Sequence, residues 1–296
     1  LLIPSVILVS TIASLTGAGS HLIANDLLDE VADERVSFLA WLVYGLPFAV
    51  VASLATAFAI GRLFLDAPLR ARPLDLPQEP GRTLSRPEKL TLAVLAVSVG
   101  LWGTESLHGV EIATVSVLAA FVLTMPNLGA ISWKNGLKAV SWNLILFVGA
   151  ALVLGEALIE TGAAEWLVRR AFSITGLSQG GSLLFTVLAV ALVTLTSHVY
   201  MTSHAARAAA LVPPLLYLGQ TLGLDPVALM FIGTVGMDYC LTFPVSSKAL
   251  LLFGEADRES FRPSDLLKLS ALMLPVHAAL MVLFYFGYWR FVGLAL

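Results

Sequence analysis

"VILVSTIASLTGAGSHLIANDLL" (residues 6–28) is apolar at both ends, yet its middle is small, polar and glycine-rich. "SFLAWLVYGLP" (37–47) follows it. The same order returns near the other end of the chain. "LMFIGTVGMDYCLTFPVSSKALLLFG" (229–254) is again interrupted, and "SDLLKLSALMLP" (264–275) follows. Each second member opens on serine and reaches a proline ten or eleven residues later. A helix needs about 20 apolar residues to cross a bilayer, and inside lipid every backbone polar group needs a partner. An interrupted span is therefore tolerated only where it lines a cavity or packs in protein. Two interrupted spans in equivalent places are the mark of an internal repeat of the transporter kind.

Composition agrees. Of 296 residues, 58% are hydrophobic and 12% charged, against about 25% charged in a soluble domain. Mean hydropathy is +0.88. The chain reads as an all-α polytopic membrane protein. The single cysteine, Cys240, excludes a disulfide within the chain. No basic run or zinc-type spacing points to nucleic acid, and no nucleophile–base–orienter set or metal motif points to an enzyme. The chain opens on "LLIPSVILVS", without Met or a charged leader, and reads as beginning in mid-membrane.

The apolar runs are about 1–24 (broken near 16–21), 38–63, 90–104, 110–126, 142–160, 181–222 (interrupted at 196–206), 226–253 (broken near 243–248) and 265–293. A proline-rich linker, 65–89, carries Arg70, Arg72, Arg82, Arg86 and Lys89 and reads as cytoplasmic by the positive-inside rule. The acidic stretch 25–34 then reads as an outside loop. "GAAEWLVRRAF" (162–172) reads as an amphipathic interfacial piece. The parity holds if 181–222 is a re-entrant hairpin. The two copies then run in opposite orientations: 1–64 is the end of a first repeat and 90–296 a second. Trp41, Trp166, Tyr288 and Trp289 read as interfacial aromatics.

"TSHAARAAALVPP" (202–214) places His204 and Arg207 inside a span. A cation at the bilayer centre costs about 2.5–3.5 kcal/mol even on the mildest scale, so Arg207 and Lys248 call for partners or a ligand. Half-helix N-termini at the breaks add free N–H groups and partial positive charge. Arg207 with Ser203, and Lys248 with Ser246 and Ser247, read as a clamp for a dianion or carboxylate. The competing reading pairs Arg207 with Asp238 and lets Lys248 snorkel to the interface. His21 and His198 read as core histidines bonded to carbonyls, and Glu156 as a span end.

"LWGTESLHGVEIATVSVLAAFVLTMP" (101–126), "SWKNGLKAVSWNLILFVGAALVLGEALIETGAAEWL" (132–167), "TSHAARAAALVP" (202–213), "GLDPVAL" (223–229) and "FPVSSKALLLFG" (243–254) together resemble the divalent anion/sodium symporter (DASS) family. So do "ASLTGAGSHLIANDLL" (13–28) and "FLAWLVYGLP" (38–47), which look like the end of the family's first repeat. The resemblance implies an elevator-type, dimeric secondary transporter of dicarboxylates, citrate or sulfate in a bacterial inner membrane, with a first hairpin preceding these residues. An oxyanion or arsenite permease of the same superfamily and a non-transporting fragment are the alternatives. Taken with the residue reading above, it gives substrate contacts at Thr202, Ser203, His204, Arg207, Ser246, Ser247 and Lys248, and ion contacts at Gly19, Ser20, Ser203 and Val245. It implies no cofactor and Na+ as coupling ion; His204 adds H+ as a candidate. The departures are specific. His204 stands where the family has the Asn of its Ser-Asn-Thr tip, and Arg207 where it has Thr. The late break carries Ser246, Ser247 and Lys248. Two cations therefore stand near a site where the family holds sodium, which points to weakened sodium dependence.

Overall fold

A computed structural model describes residues 1–66, 83–140, 182–244 and 261–296 throughout, with isolated positions between. Every regular element among the described residues is helical. The core of the linker, most of the span 142–160, most of the amphipathic piece 162–172, and Glu156, Val245, Ser246 and Lys248 lie outside the described residues.

The chain divides into two compact units. The first comprises Leu1–Val36, Ala40–Arg70 and Phe147–Leu296. It opens with α1 (Leu2–Val9) and two short 3-10 turns, Thr11–Ala13 and Leu15–Gly17, before α2 (Gly19–Ala32). The break thus begins at Ser10, six residues before its expected position. Its polar side chains fold back on the preceding helix: Ser10 Oγ donates to Ile7 O and Thr11 Oγ1 to Leu8 O. Gly17 is required because a Cβ there would run into the Thr11 carbonyl.

The acidic stretch 25–34, read as a loop, is helical as far as Ala32. It holds no proline or glycine to stop it, and Leu27 and Leu28 are buried. The helix ends where Asp33 takes a left-handed conformation, φ 54°. Asn25 then fastens the turn: its side chain donates to Val36 O at 3.1 Å and accepts from Val36 N at 2.8 Å.

Helix α3 (Phe38–Phe64) contains Pro47. A proline has no N–H for the carbonyl four residues back and crowds it. That carbonyl is Val43 O, which accepts from Tyr288 OH at 3.0 Å, and its neighbour Tyr44 O accepts from Trp289 Nε1 at 2.9 Å. Trp41 Nε1 donates to Ile12 O inside the first break. Trp41 and Trp289 are fully buried. Both are corrections to the interfacial reading, and the cause is the broken backbone, which needs amphipathic donors in the interior.

The second unit comprises Ser37–Leu39 and Ala71–Leu146. It contains α4 (Arg86–Gly103), α5 (Glu105–His108), α6 (Ile112–Thr124) and α7 (Trp133–Ala139). Helix α4 starts on a capping box, with the Ser85 N–H and hydroxyl both donating to Glu88, and α4 packs on α6.

The first unit continues with α8 (Leu183–Thr196), a 3-10 turn over Ser197–Val199, α9 (His204–Leu222), α10 (Pro226–Asp238) and α11 (Pro263–Gly287). The expected interruption at 196–206 therefore falls at 197–203. Helix α10 is the centre: every residue from Ala228 to Asp238 is buried. Helices α2, α8, α9 and α11 pack on it. Gly236 admits the Thr194 side chain and Gly233 that of Leu215, so small residues let α8 and α9 approach closely. Helix α10 has 13 residues, about 20 Å at 1.5 Å per residue, and the chain becomes extended at Tyr239.

The distribution of polarity is that of a membrane protein. Leu54 and Phe58 on α3 and Val117, Leu118 and Phe121 on α6 are exposed, while His21, His198, Arg207 and Asp238 are buried.

Candidate functional site

Three helix ends meet at Asp238: the C-terminus of α10 and the N-termini of α2 and α9. Helix α9 starts at His204 because Ser203 caps it, its hydroxyl accepting from Ala206 N. Helix α10 starts on Pro226, with Asp225 accepting from Ala228 N. Asp238 is the last residue of α10, and its carboxylate gathers donors from the first break. Thr11 Oγ1 lies 3.2 Å from Oδ2, Ser20 Oγ 3.3 Å from Oδ1, and His21 Nε2 2.5 Å from Oδ2. The other ring nitrogen of His21 is 3.0 Å from Ser14 O. Both nitrogens face oxygens that accept, so His21 and Asp238 together hold two protons and are neutral as a pair. Trp41 stacks on the imidazole at 4.9 Å between centroids.

On the same side of α9, His204 and Arg207 are three residues apart. His204 Nε2 is 3.0 Å from Cys240 Sγ. Its Nδ1 lies 3.8 Å from Asp238 Oδ1 and has no hydrogen-bond partner among the described residues. Arg207 is 0% exposed. Its Nη1 donates to Tyr239 O at 3.0 Å, a cation at the open C-terminal end of α10. Among the described residues Nε and Nη2 have no partner. These two N–H groups form the side-on fork of a guanidinium, the edge that matches two oxygens of a carboxylate or sulfate. Among the described residues no carboxylate lies within ion-pair reach of Arg207.

A second chain of polar groups fastens the start of the late break. His198 Nδ1 is 2.5 Å from Leu195 O, and its Nε2 is 2.6 Å from Thr242 Oγ1. Thr242 Oγ1 is 2.6 Å from Ser270 Oγ on α11. Tyr239 OH donates to Ser270 O at 3.1 Å. These neutral groups hold the extended segment against α11 without adding charge.

Of the residues singled out in the sequence, Ser20, His204 and Arg207 are brought to this centre. Gly19 opens α2 beside them, with open space where a Cβ would go. Thr202 and Ser203 are exposed at the start of α9. Ser247 Oγ accepts from Ala249 N. Val245, Ser246 and Lys248 lie outside the described residues. The competing pairing of Arg207 with Asp238 is replaced: the basic partner of Asp238 is His21. His21 does bond a carbonyl, as a core histidine would, but its second nitrogen makes the buried pair. Thr11 went unread. The available signal was an intramembrane acid, Asp238, in one broken span and a histidine just past the glycines of its repeat mate.

The family model for the sodium:sulfate symporter transmembrane region matches residues 2–295. The chain belongs to the sodium:sulfate symporter family. A membrane protein of Cupriavidus necator is 31% identical over 94% of this chain and 55% of its own length. The sodium-dependent dicarboxylate transporter SdcS of Staphylococcus saprophyticus is 23% identical over 80% of this chain and 48% of its own length. The Na(+)/dicarboxylate cotransporter 3 of Mus musculus is 29% identical over 40% of this chain and 19% of its own length. The chain spans about half the length of the first two of these relatives. The sodium:sulfate symporter family consists of integral membrane transporters, not enzymes, and its membership agrees with the resemblance carried by the motifs.

Proposed function

We propose that this protein is a secondary active transporter or exchanger of small divalent anions of the dicarboxylate, citrate or sulfate class, with weak dependence on Na+. The carrying observation is the buried fork of Arg207, two unpartnered N–H donors beside the broken end of α10. Leaving such a group unmatched in a low-dielectric interior is costly, by several kcal/mol per ion, and an anion with two oxygens on one face removes that cost. Ser20, Thr202, Ser203, His204 and Ser247 supply further polar atoms near the helix ends. Ser246, Lys248 and Val245 belong to the same reading through their place in the late break.

In this reading Arg207 takes over the countercharge that sodium supplies elsewhere in the family. The segment 181–222 acts as a re-entrant hairpin, the repeats are inverted, and a homodimer in the bacterial inner membrane moves its site by an elevator motion. The names of the relatives favour dicarboxylates over sulfate. The test is uptake of labelled succinate, citrate and sulfate by the complete protein in liposomes, with Na+ or K+ outside. Accumulation of a dianion with little change between the two cations supports the proposal. Strict sodium dependence removes the countercharge role of Arg207, and transport of none of the three removes the substrate class.

A further inference from the structure

Charge counting at the helix ends leads beyond the proposed anion site, on which this inference rests. The His21–Asp238 pair is neutral. Arg207 contributes one positive charge, and its fork is filled by one carboxylate. A dianion brings a second negative charge. The group placed to answer it is His204, one turn before Arg207 on α9, whose buried Nδ1 has no hydrogen-bond partner among the described residues and stands 3.8 Å from Asp238 Oδ1.

The other titratable groups around it are either bonded or far from a carboxylate. From α2, His21 is locked between Asp238 and Ser14 O. From the extended segment after α10, Cys240 Sγ meets the other nitrogen of His204, and Tyr239 OH is held by Ser270. From the turn before α9, His198 bonds Leu195 O through Nδ1, while its Nε2 faces the Thr242 hydroxyl, so the ring is satisfied when neutral. From α11, His277 lies against the rings of Tyr239 and Phe48. Neither of its nitrogens has a partner among the described residues, and no described carboxylate lies within ion-pair reach of it. Arg207 itself carries a fixed charge. His204 is thus the histidine that has a nitrogen free among the described residues and also faces a carboxylate.

We propose that His204 is a proton-binding site coupled to the anion site. Protonation at Nδ1 gives the ring a net positive charge. Asp238 Oδ1, 3.8 Å away, stabilises that cation, and the cation in turn completes the charge needed by a dianion at Arg207. The proton comes from solvent and no bond other than N–H is made. Binding of proton and dianion is then mutually favourable, and by reciprocity each raises the affinity for the other. The coupling ion of this protein is H+ at the place where its relatives' family motif carries Asn.

The experiment is calorimetric titration of the complete, detergent-purified protein with succinate in sodium-free solution over a series of pH values from neutral to alkaline, each in two buffers of different ionisation enthalpy. At the alkaline end, where the free site has lost its proton, wild-type protein should take up about one proton per succinate bound. Its succinate affinity should fall about ten-fold for each pH unit above the proton's half-occupancy. His204→Gln should bind succinate more weakly, without proton uptake and without the pH dependence. The wild-type measurement stands alone if the variant does not fold. Succinate binding by wild type with no proton uptake and no pH dependence anywhere in the series overturns this inference and leaves the anion site intact, the outcome expected if Lys248 carries the second charge. Proton uptake that persists in His204→Gln also overturns it. Failure of wild type to bind succinate, citrate or sulfate overturns the anion reading and this inference with it.

Discussion

The two breaks at this centre are built differently. The first, between α1 and α2, is neutral. Its turns bond to themselves, Gly17 fits against the Thr11 carbonyl, and Trp41 supplies the donor that Ile12 O needs. The second, after α10, is charged. Asp238 ends the helix and Arg207 reaches the first free carbonyl, Tyr239 O. The neutral break is therefore a scaffold that offers hydroxyls and an imidazole to its mate. In the proposed function the charged break supplies the countercharge. Among the described residues the two are joined by hydrogen bonds at Asp238, held by Thr11, Ser20 and His21.

That comparison breaks most visibly at Asp238. Asp238→Ala leaves His21 and two hydroxyls facing nothing, and removal of one member of a buried pair costs about 3–5 kcal/mol. Thermal denaturation followed by size exclusion should show a large loss of monodisperse protein, and His21→Ala should do nearly the same. If Asp238→Ala is as stable as wild type, the two breaks are not joined there. Next comes Gly17→Ala, expected to cost about 1–3 kcal/mol because the methyl group overpacks a backbone carbonyl. Gly19→Ala, two residues on with open space around it, should change stability by no more than about 1 kcal/mol. Equal effects at the two glycines would mean that the first break is not packed as described.

Trp41→Phe keeps an aromatic ring against His21 but strands Ile12 O, a loss of about 1–3 kcal/mol in the same assay. Tyr288→Phe should cost about 0.5–1.5 kcal/mol. On a Pro47→Ala background, where the restored N–H serves Val43 O, that cost should vanish, and a double-mutant cycle measures it. The smallest effect is expected at the surface of the second unit. Hydrogen bonds from Ser85 hold the exposed Glu88 carboxyl below its ordinary range. Its contribution is present above the ordinary carboxylate value and fades as pH falls through the depressed one. Ser85→Ala removes the hydroxyl and keeps the backbone N–H, so it should reduce that acid-side dependence, seen as a slight convergence of melting curves between neutral and acid pH.

The spans were legible because hydropathy is a local property: 38–63 and 265–293 correspond to α3 and α11 within a few residues. Break positions were less so. Glycines at 17 and 19 mark where α2 starts, not where α1 stops, and nothing about Ser10 announces a terminus. The late break opens at Tyr239, before the proline and serines that drew attention to 243–248. Pairing was least legible. Asp238 is 217 residues from His21, and only packing decides that it meets His21 rather than Arg207. The buried role of Trp289 had a signal in Pro47, which loosens the carbonyl ladder of α3 and leaves oxygens that demand nearby donors; that of Trp41 had one in the first break, whose Ile12 O it serves. The unpartnered edge of Arg207 had none, because which side of a guanidinium is occupied depends on where Tyr239 O lies.

The measurement that bears most directly on the central claim is succinate counterflow by the complete protein in sodium-free liposomes, comparing wild type, Arg207→Lys and Arg207→Ala. Counterflow in wild type, deeply reduced in Arg207→Lys and lost in Arg207→Ala while the purified variants remain monodisperse, is what a guanidinium fork for the anion predicts. Counterflow that appears only when sodium is added, and that survives in Arg207→Ala, would contradict it.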